Sequence, residues 1–242
     1  MRKIIISILI IAVTTGLFFS CIHVFPKCIR GNNNVITETR IINSFSELIS
    51  TVSFNVYISL DTLNKITIEA EGNLIPYIET KISGDKLYIE IKENRCIRNN
   101  YPIDINISVT EIDAVRLEGS GIIVFNDTIN INSFSASLTG SGVITAKVIS
   151  EHIDADIPGS GSIYFYGESI ETNFNIPGSG NIKAYELIQD ICHATITGSG
   201  NMYVFVNDLL DVSIYGSGNV YYRGNPDINS QITGSGKVIN DN

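Results

Sequence analysis

The chain has no tryptophan, so any aromatic surface rests on its 11 tyrosines and 10 phenylalanines. Charge is also scarce: 17% of 242 residues, with 16 Lys and Arg against 25 Asp and Glu. A net charge of −9 argues against nucleic acid as a partner and against direct adsorption to anionic lipid. The four cysteines, Cys21, Cys28, Cys96 and Cys192, contain no metal-type couplet. Catalytic triad, phosphate-loop and zinc motifs are missing. Beyond the opening segment, no apolar run approaches the length of a membrane span. These absences predict no cofactor, no metal and no nucleic-acid partner.

What the chain does have is seven Gly-Ser-Gly triplets, at Gly119 and Gly121, Gly140 and Gly142, Gly159 and Gly161, Gly178 and Gly180, Gly198 and Gly200, Gly216 and Gly218, and Gly234 and Gly236. Successive steps are 21, 19, 19, 20, 18 and 18 residues. A period near 20 is the mark of a solenoid whose coils bury their apolar faces only by stacking. Two residues before each triplet stand Leu117, Leu138, Ile157, Ile176, Ile196, Ile214 and Ile232. Four residues after its first glycine stand Ile123, Ile144, Ile163, Ile182, Met202, Val220 and Val238. Every second residue is apolar on both sides, which is strand periodicity with one face buried. The residues three before the triplet, Arg116, Ser137, Asp156, Asn175, Thr195, Ser213 and Gln231, are all polar and face outward.

The triplet is therefore expected to form the corner between two short strands, where glycine supplies backbone angles with φ > 0 and permits close approach of neighbouring coils. Asn181, Asn201 and Asn219 follow three of the triplets and should stack as an amide ladder. The fold class is all-β: a right-handed parallel β-helix, or solenoid, with about 18–21 residues per coil. Residues 119–242 form its regular part.

At the N-terminus, Arg2 and Lys3 precede an apolar stretch from Ile4 to Phe19, then Ser20 and Cys21. Residues 1–20 read as a secretory signal. Cys21 stands where a bacterial lipobox would place the acylated first residue of the mature lipoprotein, with residues 21–30 as a tether. An uncleaved N-terminal anchor is the alternative, and either one exports and tethers the body. Loss of Arg2 and Lys3 leaves 14 cationic against 25 acidic side chains, a balance of −11. Of the remaining cysteines, Cys192 falls in an inward column and reads as a buried hydrophobe. Cys28 and Cys96 flank the N-terminal region, and spacing alone leaves them either paired or free.

Residues 31–118 form a less regular β region. Strand-like runs cover Val35 to Ile42, Phe54 to Ser59, Lys65 to Ala70, Lys86 to Ile91 and Ile103 to Val109, with a hairpin signal at Gly84-Asp85. Gly31-Asn32-Asn33-Asn34-Val35 and Val52-Ser53-Phe54-Asn55 both read as degraded triplets. The region is either early coils broken by an excursion or a cap over the solenoid's first edge. Lys237, Asn240, Asp241 and Asn242 stand where they would blunt the last strand.

Three stretches carry a family resemblance: Phe45-x-x-Leu48 leading to Asn55-Val56-Tyr57-Ile58, Ile68-Glu69-Ala70-Glu71-Gly72-Asn73-Leu74-Ile75-Pro76-Tyr77-Ile78, and the Gly-Ser-Gly-Asn repeats. In these the chain resembles the auto-transporter adhesin head-GIN domain family, common as bacterial envelope lipoproteins. Val52-Ser53-Phe54 departs from the Gly-Ser-Gly that the family usually has there. The resemblance implies a β-solenoid in the bacterial envelope and names no ligand.

For function, the outward column five after each triplet stands out: Val124, Thr145, Tyr164, Lys183, Tyr203 and Tyr221, with Tyr166, Tyr185, Tyr215 and Tyr222 near in sequence. Aromatic stripes stack on sugar rings and anchor protein contacts. The candidate binding face is Tyr164, Lys183, Tyr203 and Tyr221, for a glycan or an envelope or host protein. The alternative is a structural role through self-association. An enzyme would need clustered acids, and the best polar column (Asp154, Asn173, His193, Asp211) puts Asp154 and Asp211 three coils apart, about 14 Å. His193 and Asp211 lie on adjacent coils and within bonding reach, and Glu151-His152 reads as a loop. The expectation is no enzyme, and a lipid anchor in the outer membrane on its periplasmic or its surface face.

Overall fold

The computed structural model describes residues 28–93 and 95–242, so the signal segment and Cys21 lie outside the described residues. Eighteen strands follow in order: β1 (Ile29–Arg30), β2 (Val35–Ile41), β3 (Glu47–Ser50), β4 (Asn55–Leu60), β5 (Lys65–Glu71), β6 (Ile78–Ser83), β7 (Lys86–Ile91), β8 (Ile97–Arg98), β9 (Asp104–Val109), β10 (Ala114–Leu117), β11 (Ile122–Leu138), β12 (Val143–Asp156), β13 (Ser162–Ile176), β14 (Asn181–Ile196), β15 (Asn201–Gly216), β16 (Asn219–Gly224), β17 (Asp227–Gly234) and β18 (Lys237–Asn240). A 3-10 turn, Ile75–Tyr77, precedes β6. No helix of the described residues is long and apolar enough to cross a membrane.

From β10 to β18 every pairing is parallel, coil upon coil, with register shifts only within the pairs β11–β12, β13–β14 and β14–β15. The triplets do form corners, but the elements between them are not short strands. Each coil from β11 to β15 is one strand of 14–17 residues that bends without leaving the ladder. The alternation of buried and exposed residues slips at such a bend, as at Glu151 and His152, which are consecutive exposed residues inside β12 rather than a loop.

The inward columns make one continuous core. Leu117, Leu138, Ile157, Ile176, Ile196 and Ile214 are fully buried, as are Ile123, Ile144, Ile163, Ile182, Met202 and Val220. Each such aliphatic side chain contributes about 1.5–3 kcal/mol on burial. Phe125, Phe134, Phe165 and Phe174 fill the wider part of the lumen, with centroids 5.6, 6.5 and 5.6 Å apart in succession. Outside, the expected amide ladder is present: Asn201 Nδ2 donates to Asn181 Oδ1 at 3.4 Å, and Asn219 Nδ2 to Asn201 Oδ1 at 3.2 Å.

The N-terminal region combines a coil with antiparallel strands. β3 and β4 form a true coil, β3 pairing parallel with β10 and β4 with β11. Val52-Ser53-Phe54 lies at the triplet corner of that coil. A Cβ on Gly119 would meet Val52 O at 2.2 Å, and one on Gly121 would meet Phe54 O at 2.2 Å. Below it, β7 and β9 pair parallel with β3 and β4. Antiparallel partners then close the edge: β6 on β7 and, next to β9, β5 followed by β2.

Gly31-Asn32-Asn33 is not a degraded coil corner. It precedes the antiparallel β2, and Gly31 is a glycine because a Cβ there would fall 1.9 Å from Glu71 Oε2. Glu71, 1% exposed, is the polar anchor of the cap. It accepts from the backbone N–H groups of Asn33 and Asn100, both at 2.7 Å, and from Asn100 Nδ2 at 3.0 Å. Asn73 completes the cradle, accepting from Asn32 N and donating to Arg30 O. Cys28 and Cys96 are joined in a disulfide, beside the parallel pair β1–β8.

Burial alone would raise the Glu71 pKa, yet the donated hydrogen bonds from Asn100 and Asn33 outweigh it and hold the carboxyl below the ordinary value of 4.5. A lowered folded-state pKa means stability that is present above the unfolded value and lost as pH falls through the folded one. Protection of the Asn33 and Asn100 amides, relative to their unstructured exchange rates, should therefore fall below pH about 4.5, and Glu71→Gln should flatten that dependence. Unchanged protection on acidification would contradict this role. Cys192 is 0% exposed, and burial pushes its thiol up to about 12. Mass spectrometry after maleimide treatment should find Cys192 unlabelled in native protein and labelled once it is unfolded.

Candidate functional site

Parallel register aligns Val124, Thr145, Tyr164, Lys183, Tyr203 and Tyr221 into one outward row. Strand spacing of about 4.8 Å sets the distance between neighbours on such a row. Tyr203 and Tyr221 take it up as a face-to-face stack, centroids 4.9 Å apart and planes 6° from parallel. Lys183 Nζ donates to Tyr164 Oη at 3.1 Å and lies 4.9 Å from the centroid of that ring. The four residues form one ledge, half-buried by mutual contact except for the exposed Lys183.

The structure adds residues that sequence periodicity does not assign to this face. Between Ala184 and Ile188 the register of β14 on β15 shifts, leaving Tyr185, Glu186 and Leu187 as a bulge. The bulge turns Tyr185 onto the ledge, where its ring meets Tyr203 edge-on at 5.6 Å. The Arg223 guanidinium lies over the Tyr185 ring, 4.1 Å from its centroid. Tyr185 Oη donates to Asp241 Oδ2 at 2.8 Å, and Arg223 reaches the same carboxylate at 3.4 Å. Burial, then the bond to Asp241, raise the Tyr185 pKa well above the ordinary value of 10.0, so the phenol stays neutral. The available signal was the step of 20 residues from Gly178 to Gly198 against 18 to Gly216: the longer coil has residues to spare.

Together Tyr164, Tyr166, Lys183, Tyr185, Glu186 and Tyr203 border an open groove of about 410 Å³. Tyr166 is 38% exposed at its rim. Tyr222 instead turns inward and packs against the core, and Tyr215 is exposed next to the triplet at Gly216. The ledge offers ring faces for stacking, phenol hydroxyls, one ammonium and one carboxylate.

The polar column lies on a different stretch of the coil. His193 Nδ1 is 3.5 Å from Asp211 Oδ2, and Glu171 bridges the two histidines, 3.3 Å from His193 Nε2 and 3.4 Å from His152 Nδ1. Asp154 is bonded by Asn173 Nδ2 at 3.0 Å rather than by another acid. These side chains are half-buried (Glu171, His193) or exposed, and among the described residues no group of three or more His, Cys, Asp or Glu is placed to hold a metal. The arrangement is a solvated polar ladder of imidazoles, amides and carboxylates.

Similar folds occur among solved structures. A "putative adhesin" from Bacteroides fragilis aligns with a TM-score of 0.83 at 19% identity, covering 88% of this chain and 99% of that one. A "putative lipid binding protein" from Parabacteroides distasonis aligns with a TM-score of 0.74 at 24% identity, covering 89% and 100%. A "putative adhesin" from Parabacteroides merdae gives 0.71 at 18% identity, covering 88% and 99%. These likenesses establish the shared solenoid fold. No curated protein matches the chain in sequence. The model of the family described as "Putative auto-transporter adhesin, head GIN domain" matches residues 44–226, from just ahead of the first true coil to the start of the last, and the chain belongs to that family.

Proposed function

We propose that this protein is a non-catalytic, envelope-anchored adhesive module that binds a glycan or protein partner along the Tyr164–Lys183–Tyr203–Tyr221 ledge. The observation that carries this reading is the ledge itself. Stacked rings held on a rigid ladder give contact area with little conformational entropy left to lose on binding. The groove beside Tyr185 adds hydrogen-bonding groups that would orient a ligand lying on the rings. The family's adhesin description and the export signal at residues 1–20 agree with this reading. Acylation of Cys21 would hold the solenoid at the outer membrane, since an acidic body gains nothing from anionic lipid.

The test is binding of the purified chain to a glycan array and to host-cell surfaces, beside a Tyr164→Ser, Tyr203→Ser, Tyr221→Ser variant. One buried aromatic anchor is worth about 2 kcal/mol, so each Ser substitution alone should weaken binding roughly thirtyfold. The triple variant should lose binding while melting as a cooperative solenoid. Binding that survives in a folded triple variant would remove this face from consideration.

A further inference from the structure

Charge is divided unevenly around the coil. Every Lys and Arg of residues 119–242 (Lys147, Lys183, Arg223 and Lys237) lies within eight residues after the first glycine of its triplet, on the stretch that carries the tyrosine ledge. The rest of the coil carries acids, among them Glu151, Asp154, Glu168, Glu171, Asp190 and Asp211, and no Lys or Arg. Three acids share the cationic stretch, and two of them are engaged. Asp127 accepts from Leu60 N at 2.9 Å, and Asp241 accepts from Tyr185 and Arg223. The third, Glu186, is exposed at the border of the groove.

Parallel stacking turns these cations into a line along the solenoid axis. Lys147, Lys183 and Arg223 belong to β12, β14 and β16, which are alternate coils, so successive cations are about 10 Å apart along the axis. Rings stand between them: Tyr166 is paired with Lys147, and Tyr203 with Lys183. Lys147 and Lys183 are exposed. Each ammonium has three donors, and one is given to Asn126 O by Lys147, at 3.1 Å, and one to Tyr164 Oη by Lys183.

We propose that the ligand of the ledge is an acidic polysaccharide, lying along the solenoid axis with its acid groups on alternate rings. The inference rests on the ledge reading above and adds the charge and the direction of the ligand. A hexose ring in an extended chain is about as long as the rise of one coil. An acid on every second ring therefore meets a cation on every second coil, and the rings between meet tyrosines. Charge-assisted hydrogen bonds to the free donors of Lys147 and Lys183 hold the acid groups. The acidic remainder of the coil repels the same polymer and so steers it to this face. An acidic peptide fits less well. Extended peptides add to a sheet through their backbone, and the strands under the ledge already pair with the coils on both sides.

The test gives the full chain, in neutral detergent, three probes: a hyaluronan oligosaccharide, which has a carboxylate on every second ring, the same oligosaccharide with its carboxylates reduced to alcohols, and polyglutamate. Calorimetry should show the acidic oligosaccharide bound at low salt and the other two bound far more weakly. Lys183→Gln removes an attraction and should weaken that binding about fivefold, while Glu186→Gln removes a repulsion and should tighten it by a similar factor. Raising the ionic strength from about 0.01 M to 0.15 M shortens the screening length from about 30 to 8 Å and should weaken it further. The proposal is overturned if the acidic oligosaccharide does not bind, if its reduced form or polyglutamate binds as tightly, or if neither charge variant moves the affinity. The Tyr164→Ser, Tyr203→Ser, Tyr221→Ser variant separates the two readings. Equal binding of the acidic and reduced forms, lost in this variant, leaves the ledge standing and refutes the acidic ligand. Undiminished binding of the acidic form by the folded variant removes the ledge, and the proposal with it.

Discussion

Gly198→Ala should lower stability by about 3–5 kcal/mol, more than any surface substitution of similar size in this chain. A Cβ at Gly198 would lie 1.9 Å from Gly178 O and 2.7 Å from Pro177 O, and both obstacles are backbone. Relief would require the coils to part, but the ladder below is fixed by Ser199 N donating to Gly178 O at 3.1 Å. The same clash recurs along the stack, as at Gly140, 1.9 Å from Gly119 O, so the triplet glycines are set by coil spacing and not by the expected positive φ, which among them Gly234 alone adopts, at +132. Gly84→Ala is the matched control. Gly84 has φ +65 and nothing within 4 Å of a Cβ, so its cost is the strain of left-handed backbone alone, about 1–2 kcal/mol. Urea denaturation compares the two. A Gly198→Ala midpoint no lower than that of Gly84→Ala would mean that coil spacing is not what demands glycine.

Replacing both Cys28 and Cys96 by Ser should cost roughly 4 kcal/mol, because the bridge closes a loop with a sequence separation of 68 residues. The loss should not be spread evenly. In a stacked array each coil depends on its neighbours, so opening begins at the end that has lost its staple. Hydrogen exchange should quicken in β1, β8 and β2 and leave β12 to β15 protected. Uniform loss of protection from β2 to β15 would show that the cap and the solenoid form one cooperative unit. Unchanged exchange at β1 and β8 would show that the Glu71 cradle suffices without the disulfide.

The regular coils were legible because parallel stacking repeats each environment at each turn. Ile157, Ile176, Ile196 and Ile214 share one environment, so one column of sequence names one column of core. The cap lacks that redundancy. The runs that became β2, β5, β7 and β9 show strand periodicity, but alternation is the same for parallel and antiparallel neighbours, so their pairing was not written there. Gly31 resembles a coil corner for a related reason: a glycine that clears a coil and a glycine that clears the Glu71 carboxylate are the same letter. β3, Glu47–Ser50, is too short to show a period, although Phe45 and Leu48 mark it as buried. At the candidate site, periodicity found the row from Tyr164 to Tyr221 and missed Tyr185, Arg223 and Asp241. Tyr185 arrives through a bulge, and bulges interrupt the count on which periodicity depends.

The adhesive reading depends most directly on where the solenoid stands. Intact cells that make the protein would be treated with protease and probed with an antibody against residues 119–242, beside cells whose outer membrane has been permeabilised. Adhesion predicts that the repeat epitope is lost from intact cells. Protection on intact cells, with loss only after permeabilisation, would place the ledge away from any host surface and contradict it.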